Sequence, residues 1–184
     1  MDLDGKGIGL LAPTIAHSLG PHFTRDSFME IGRQLGASDQ ASGQALNQAM
    51  ECYHAFEARR GEHAQETLAS LDPGKKTFVL VSKIYGVADQ ALNMGIPGRL
   101  MDMGNEVIPF AFLPAADIFN QHPNMYWPFG QHILEAARTI KHHPGLHAVF
   151  LTHHGCGPDT VLSHYFREIM GEKPDLTVEV DEHA

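Results

Sequence analysis

The residues best suited to chemistry crowd into one stretch, His147-Ala-Val-Phe-Leu-Thr-His-His-Gly-Cys-Gly-Pro-Asp-Thr160, where an apolar run stops at paired histidines, a cysteine between glycines, and a proline. Ala148 to Thr152 reads as a short buried strand. From Asp159 onward Val161, Leu162, Tyr165, Phe166 and Ile169 recur at helical spacing, so the polar cluster falls in a strand-to-helix turn. Pro158 suits the first helical position, where its missing N–H costs nothing, and Gly157 then becomes the N-cap. That leaves Cys156 just ahead of the positive end of a helix dipole. A thiol there tends towards thiolate, the form that attacks electrophiles and binds metals. Gly155 and Gly157 let a ligand approach the backbone closely, and His153, His154 and Asp159 stand near in sequence as proton or metal partners. A single cysteine beside a helix is also an ordinary packing residue, and the sequence leaves both readings open.

The elements that must hold this turn begin at Lys76. Thr77 to Ser82, Glu106 to Phe112, Ala148 to Thr152 and Leu176 to Val180 are apolar runs of the kind buried on both faces of a parallel sheet. Helical stretches at about Ala91 to Met103, Phe129 to Lys141 and Thr160 to Met170 separate them. Strict alternation predicts an α/β fold: a doubly wound parallel sheet of about four strands, Rossmann- or flavodoxin-like, with right-handed crossovers. Ligands of such sheets bind outside the carboxyl ends of the strands. Three turns then share one edge: Ser82-Lys-Ile-Tyr-Gly86 with Asp89 and Asn93, the region of Pro114 to Asp117, and His153 to Asp159. Asp181-Glu-His183 closes the fourth strand near the same edge. Each turn taken alone is as well read as a solvated loop.

Ahead of the sheet, residues 1–75 are expected to form a helical segment packed on the core, and residues 76–184 the α/β domain, one compact unit. Phe23 to Leu35 reads as a helix stopped by Gly36. Ala41, Ala45, Leu46, Ala49, Met50, Tyr53 and Phe56 form one stripe of a longer helix to about Arg59, with Gly61 a point of interruption before a further turn or two to Leu71. Cys52 lies beside that stripe and reads as structural. Asn124-Met-Tyr-Trp-Pro-Phe129 reads as an aromatic plug between helix and sheet.

Composition narrows the function further. A formal net charge of −9, with 22 acidic residues against 13 Lys and Arg and no basic run, argues against nucleic acid as a partner. Thirteen histidines make that charge less negative as pH falls through about 6.5. Two cysteines make no disulfide framework. Neither a secretory leader nor a membrane span is legible, so the expectation is a cytoplasmic protein without a membrane partner. The glycine-rich nucleotide motifs and the generic zinc signatures are missing.

Several motifs nevertheless line up with a known family. Val81-Ser-Lys-Ile-Tyr85, Asp89, Asn93-Met-Gly-Ile-Pro97, Met125 to Ala137, Leu151 to Thr160 and Asp181 to His183 occur in the order of similar motifs in proteins related to 2-hydroxyacyl-CoA dehydratase activases, the CoA-substrate-specific enzyme activases. The resemblance covers about residues 77–184 and only loosely the helical first part. Where the family carries Gly-Arg-Pro-Tyr this chain has Ser82-Lys83-Ile84-Tyr85, an ammonium in place of a planar guanidinium. The resemblance implies an α/β domain of a CoA-linked dehydratase system, excised from a larger protein or a short stand-alone relative, and not complete in this chain. It implies an acyl-CoA ligand and, as partners, the missing domains of the same protein or a dehydratase subunit. It also implies Cys156 as a ligand to a [4Fe–4S] cluster completed by cysteines outside this chain, with no cluster on the isolated domain. On this reading Cys156, Lys83 and Tyr85 are the catalytic candidates, and Ser82, Asn93, Gly155, Gly157 and Asp159 the substrate-binding ones. Two other readings stand beside it: a stand-alone thiol- or metal-dependent enzyme using Cys156 with a nearby histidine, and a structural or docking module without chemistry.

Overall fold

The computed structural model describes residues 9–15, 19–114, 122–153 and 157–180. The chain divides into two compact units, Met1–Ala58 and Arg59–Ala184. In the first, α1 (Pro21–Gln34) and the start of α2 (Asp39–Ala69) are joined by a tight turn. Gly36, at φ 78°, takes the left-handed conformation that ends α1. Across that turn Arg33 Nε donates to Asp39 Oδ1 at 2.9 Å, with Nη2 to Oδ2 at 3.4 Å.

The α2 helix runs through Gly61 without a break. One glycine in a helix interior costs only about 1 kcal/mol, and good helix formers flank it on both sides. Cys52, expected to pack, is exposed, as are Met50, Tyr53 and Phe56 of the predicted stripe.

The second unit holds a four-stranded sheet in the order β2-β1-β3-β4, parallel throughout. The strands are β1 (Thr77–Val81), β2 (Glu106–Pro109), β3 (Leu146–His153) and β4 (Asp175–Val180). Burial follows position. Val79, Leu80 and Val81 of β1 and Ala148 to Leu151 of β3 are fully enclosed, whereas the edge strands β2 and β4 keep half-exposed residues. Continuous apolar runs mark central parallel strands for this reason: both faces are covered.

Helices α3 (Ile84–Ala88) and α4 (Ile96–Asp102) connect β1 to β2, α5 (Pro128–His142) connects β2 to β3, and α6 (Gly157–Met170) connects β3 to β4. With right-handed crossovers, α4 falls on one face of the sheet and α5 and α6 on the other, and α5 and α6 pack together. Gly130 allows that approach, because a Cβ there would lie 2.7 Å from Met125 Sδ and 2.9 Å from Leu162 Cδ2. Phe166 of α6 stacks on Phe150 of β3, with ring centroids 4.8 Å apart. The C-terminus of α5 is closed by Lys173, whose ammonium donates to the carbonyls of Ile140 and His143. A cation there meets both unsatisfied carbonyls and the negative end of the helix dipole. Among the described residues no helix is long and apolar enough to cross a membrane.

Candidate functional site

In this strand order the connection from β1 leads to β2 on one side, and the chain resumes at β3 on the other. The carboxyl ends of β1 and β3 therefore flank a topological switch point, where sheets of this type bind their ligands. The residues following β1 and those opening α6 meet there.

Ser82, directly after β1, is buried, and its Oγ donates to the Leu151 carbonyl of β3 at 2.8 Å. Lys83 reaches across to α6: its Nζ lies 2.9 Å from Asp159 Oδ1, with side chains 13% and 4% exposed respectively. The other Asp159 oxygen accepts the backbone N–H of His153 at 3.2 Å. One carboxylate thus joins the ends of β1 and β3 to the first turn of α6, where negative charge also suits the helix dipole. The ammonium is 5.9 Å from the ring centroids of both Tyr85 and Phe129, inside the range of a cation–π attraction. Tyr85 itself is 48% exposed and forms the rim.

His153 packs against this group, with its ring 5.9 Å from that of Tyr85. Its Nε2 is 3.2 Å from the Leu92 carbonyl. A carbonyl only accepts, so Nε2 carries the proton and Nδ1 of the neutral ring is an acceptor. That Nδ1 is buried without a partner among the described residues. Gly86 makes room for the arrangement, since a Cβ there would fall 2.6 Å from both His153 Cε1 and Ser82 Oγ.

The remaining candidates are placed differently. Asn93 is buried, and both ends of its amide serve the backbone: Nδ2 donates to Val87 O at 3.1 Å and Oδ1 accepts Gly95 N–H at 3.0 Å. It holds the turn from Asp89 to Gly95, in which Met94 and Gly95 both have positive φ. Gly157 opens α6 and is exposed, and a Cβ there would meet nothing within 4 Å. Gly155 and Cys156 lie outside the described residues, as do His154, Asp117 and Asp181 to His183.

A cluster is the group the sequence resemblance implies, and the donors can be tested against it. Iron–sulfur clusters are held by thiolates, whereas this crevice presents an ammonium, a phenol, an imidazole and a carboxylate already paired. Among the described residues no group of three or more His, Cys, Asp or Glu could hold a metal ion, and the described cysteine, Cys52, lies on α2. The described residues do not fit a cluster, and Cys156 is the thiol the resemblance leaves for one.

Beside the crevice the chain forms a cavity of about 360 Å3, walled by His122, Asn124, Tyr126, Trp127, Val161 and Tyr165. The plug reading of this segment holds for Met125, which is buried, and for Trp127 and Phe129, which pack against the core and on each other. It does not hold for Tyr126, which is 85% exposed. Nothing in the spacing of Asn124 to Phe129 separates the rings that turn inward from the ring that turns out.

Comparison with known proteins bears on the first part of the chain. No curated protein and no solved structure matches it. Residues 2–113 match the family described as the CoA enzyme activase uncharacterised domain. That stretch takes in the helical segment, where the motif resemblance was loose, and the turn carrying Ser82, Lys83, Tyr85 and Asn93. It stops before Trp127 and Asp159. The match covers more than half of the chain, which therefore belongs to the CoA enzyme activase uncharacterised domain family.

Proposed function

We propose that this chain contributes the crevice between β1 and β3 to an acyl-CoA site in a CoA-linked dehydratase and activase system, a site completed by parts outside the chain. The observation that carries the reading is the buried Lys83–Asp159 pair at the switch point. It holds an ammonium 5.9 Å from the ring of the half-exposed Tyr85, so that a ligand arriving at the sheet edge meets both. A thioester carbonyl placed there accepts a hydrogen bond from Tyr85, and Lys83 stabilises negative charge developing on its oxygen. His153 Nδ1 supplies a proton acceptor in the same group. Ser82 and Asn93 support the crevice through the backbone, and Gly157 leaves the entrance to α6 open. On this reading Cys156 brings the thiol that a cluster shared with another domain requires.

Calorimetric titration with CoA and acetyl-CoA tests this. Tyr85→Phe removes one hydrogen-bond donor, and the expected result is about two- to twelvefold weaker binding of acetyl-CoA, about 0.5–1.5 kcal/mol. Gly157→Ala is expected to leave stability unchanged, because its new methyl meets nothing, yet to weaken binding wherever the ligand approaches the backbone. Failure of acetyl-CoA to bind at millimolar concentration, or its equal binding by wild type and Tyr85→Phe, refutes the reading.

A second reading, a thiol enzyme complete in this chain, is favoured by one observation: the acceptor Nδ1 of His153 lies three residues before Cys156 in sequence. Alkylation rates of Cys52→Ser protein between pH 5 and 10 are expected to show a midpoint below about 8.5, the free-thiol value. A midpoint at or above that value removes Cys156 as a nucleophile.

A further inference from the structure

The aromatic cavity beside the crevice has no assigned occupant, and its chemistry is selective. Its lining contains no lysine or arginine, so an anion finds no countercharge in it. What it offers is rings. His122 meets Tyr165 edge to face at 5.6 Å, and Tyr126 meets Trp127 the same way at 6.5 Å. The indole is held from behind by Phe129, nearly parallel at 25°. Tyr126 holds its ring out into solvent with 85% of its surface uncovered, a position that gains from being covered by a flat ligand. At the rim the Asn124 amide presents a donor and an acceptor side by side. That is the pairing by which asparagine reads the N6 and N7 edge of adenine. A volume of about 360 Å3 is near the lower end of the ~300–1,000 Å3 range of ligand sites, room for one ring system and not for a whole cofactor.

The cavity also adjoins the crevice. Phe129 links the two, its ring centroid 5.9 Å from the Lys83 ammonium and 6.3 Å from the indole of Trp127. The cavity is lined by the segment that leads into α5 and by the first turns of α6, which belong to the carboxyl edge of the sheet, where folds of this type receive nucleotides. We propose that the cavity receives a purine ring. Resting on the acyl-CoA reading of the crevice, the ring is the adenine of the CoA ester whose thioester end lies beside Tyr85.

Trp127 is the only tryptophan in the chain, so its emission reports directly on this cavity. Titrations with adenosine, CoA and pantetheine, each followed by fluorescence and by calorimetry, separate the outcomes. Adenosine and CoA are expected to bind and to change Trp127 emission, and pantetheine to leave it unchanged. Tyr126→Ala, at a position too exposed to disturb folding, is expected to weaken both about tenfold, the loss that follows removal of one aromatic partner of a stacked base. Tyr85→Phe is expected to leave the adenosine titration unchanged. If adenosine binds and neither CoA nor acetyl-CoA does, the purine pocket stands and the crevice reading falls. If CoA and pantetheine change the emission and adenosine does not, the pocket holds the pantetheine arm and the purine proposal is overturned. Absence of adenosine binding by both methods overturns it as well.

Discussion

Asp159 makes three connections through one side chain: an ion pair with Lys83, a hydrogen bond to the backbone of His153, and a place in the first turn of α6. Both charges are largely out of water, so removing one partner leaves the other desolvated and uncompensated. Lys83→Met is expected to lower stability by about 3 kcal/mol, and Lys83→Met with Asp159→Asn to recover part of that loss, because the amide oxygen still accepts the His153 N–H. Urea midpoints of the single and double variants check this, and a cost below about 1 kcal/mol for the single change contradicts it. The sequence shows Lys83 and Asp159 as polar residues at the ends of two strands, but not that they pair, since pairing depends on β1 and β3 being neighbours. It shows Asn93 as an available amide, whereas both ends of that amide are used inside a turn whose positive φ angles no periodicity reveals. The exposure of Cys52 is illegible for a related reason: spacing along a helix identifies a stripe, but not whether anything covers it.

At the scale of elements, legibility follows burial. The central strands β1 and β3 stand out because both faces are enclosed and the apolar run is unbroken. The second strand is shorter than its apolar run from Glu106 to Phe112, because Pro109 has no N–H to continue the ladder and Phe110–Phe112 turns into a 3-10 helix. The five-residue helix α3 is too short for a 3.6-residue period to register. The third strand begins earlier than the run Ala148 to Thr152, at the buried Leu146, because His147, a half-buried imidazole beside Phe78, interrupts the apolar run without leaving the ladder. Burial, and then the nearby Lys173 and Lys76, hold His147 below its ordinary value of 6.5. Between that lowered pKa and 6.5 the unfolded chain binds more protons than the folded one. The contribution of His147 to stability is therefore present above about 6.5 and lost as pH falls through its folded value. Urea midpoints measured from pH 7.5 to 5 are expected to fall less in His147→Gln than in the wild type. Equal slopes would mean that this imidazole is not disfavoured as a cation in the folded protein.

For the whole molecule, the two-unit division makes a sharper expectation than either helix pattern or strand alternation did. The buried cluster that encloses the sheet draws all its members from Val79 to Val180, with Leu68 and Leu71 packed against it, so the core belongs to Arg59–Ala184. The end of α2 within that unit is tied to it by Arg60, whose Nη1 donates to the Ala111 carbonyl at 3.2 Å, and by His63, whose ring meets Phe112 at 5.1 Å. In Met1–Ala58 the apolar side chains of α2 from Met50 to Phe56 are exposed, and isolated helices without a buried face are marginal in water. A fragment of residues 59–184 is therefore expected to unfold cooperatively in urea, with a Trp127 transition whose midpoint lies close to that of the full chain. A fragment of residues 1–58 is expected to lose its helical signal gradually. Cleavage inside α2 frays the new helix start, which costs the larger fragment a few tenths of a kcal/mol per lost favourable helical pair and not its fold. If the larger fragment shows no cooperative transition, or binds a hydrophobic dye as strongly as a molten state does, the sheet depends on the first unit. In that event the core assignment made from burial alone is wrong.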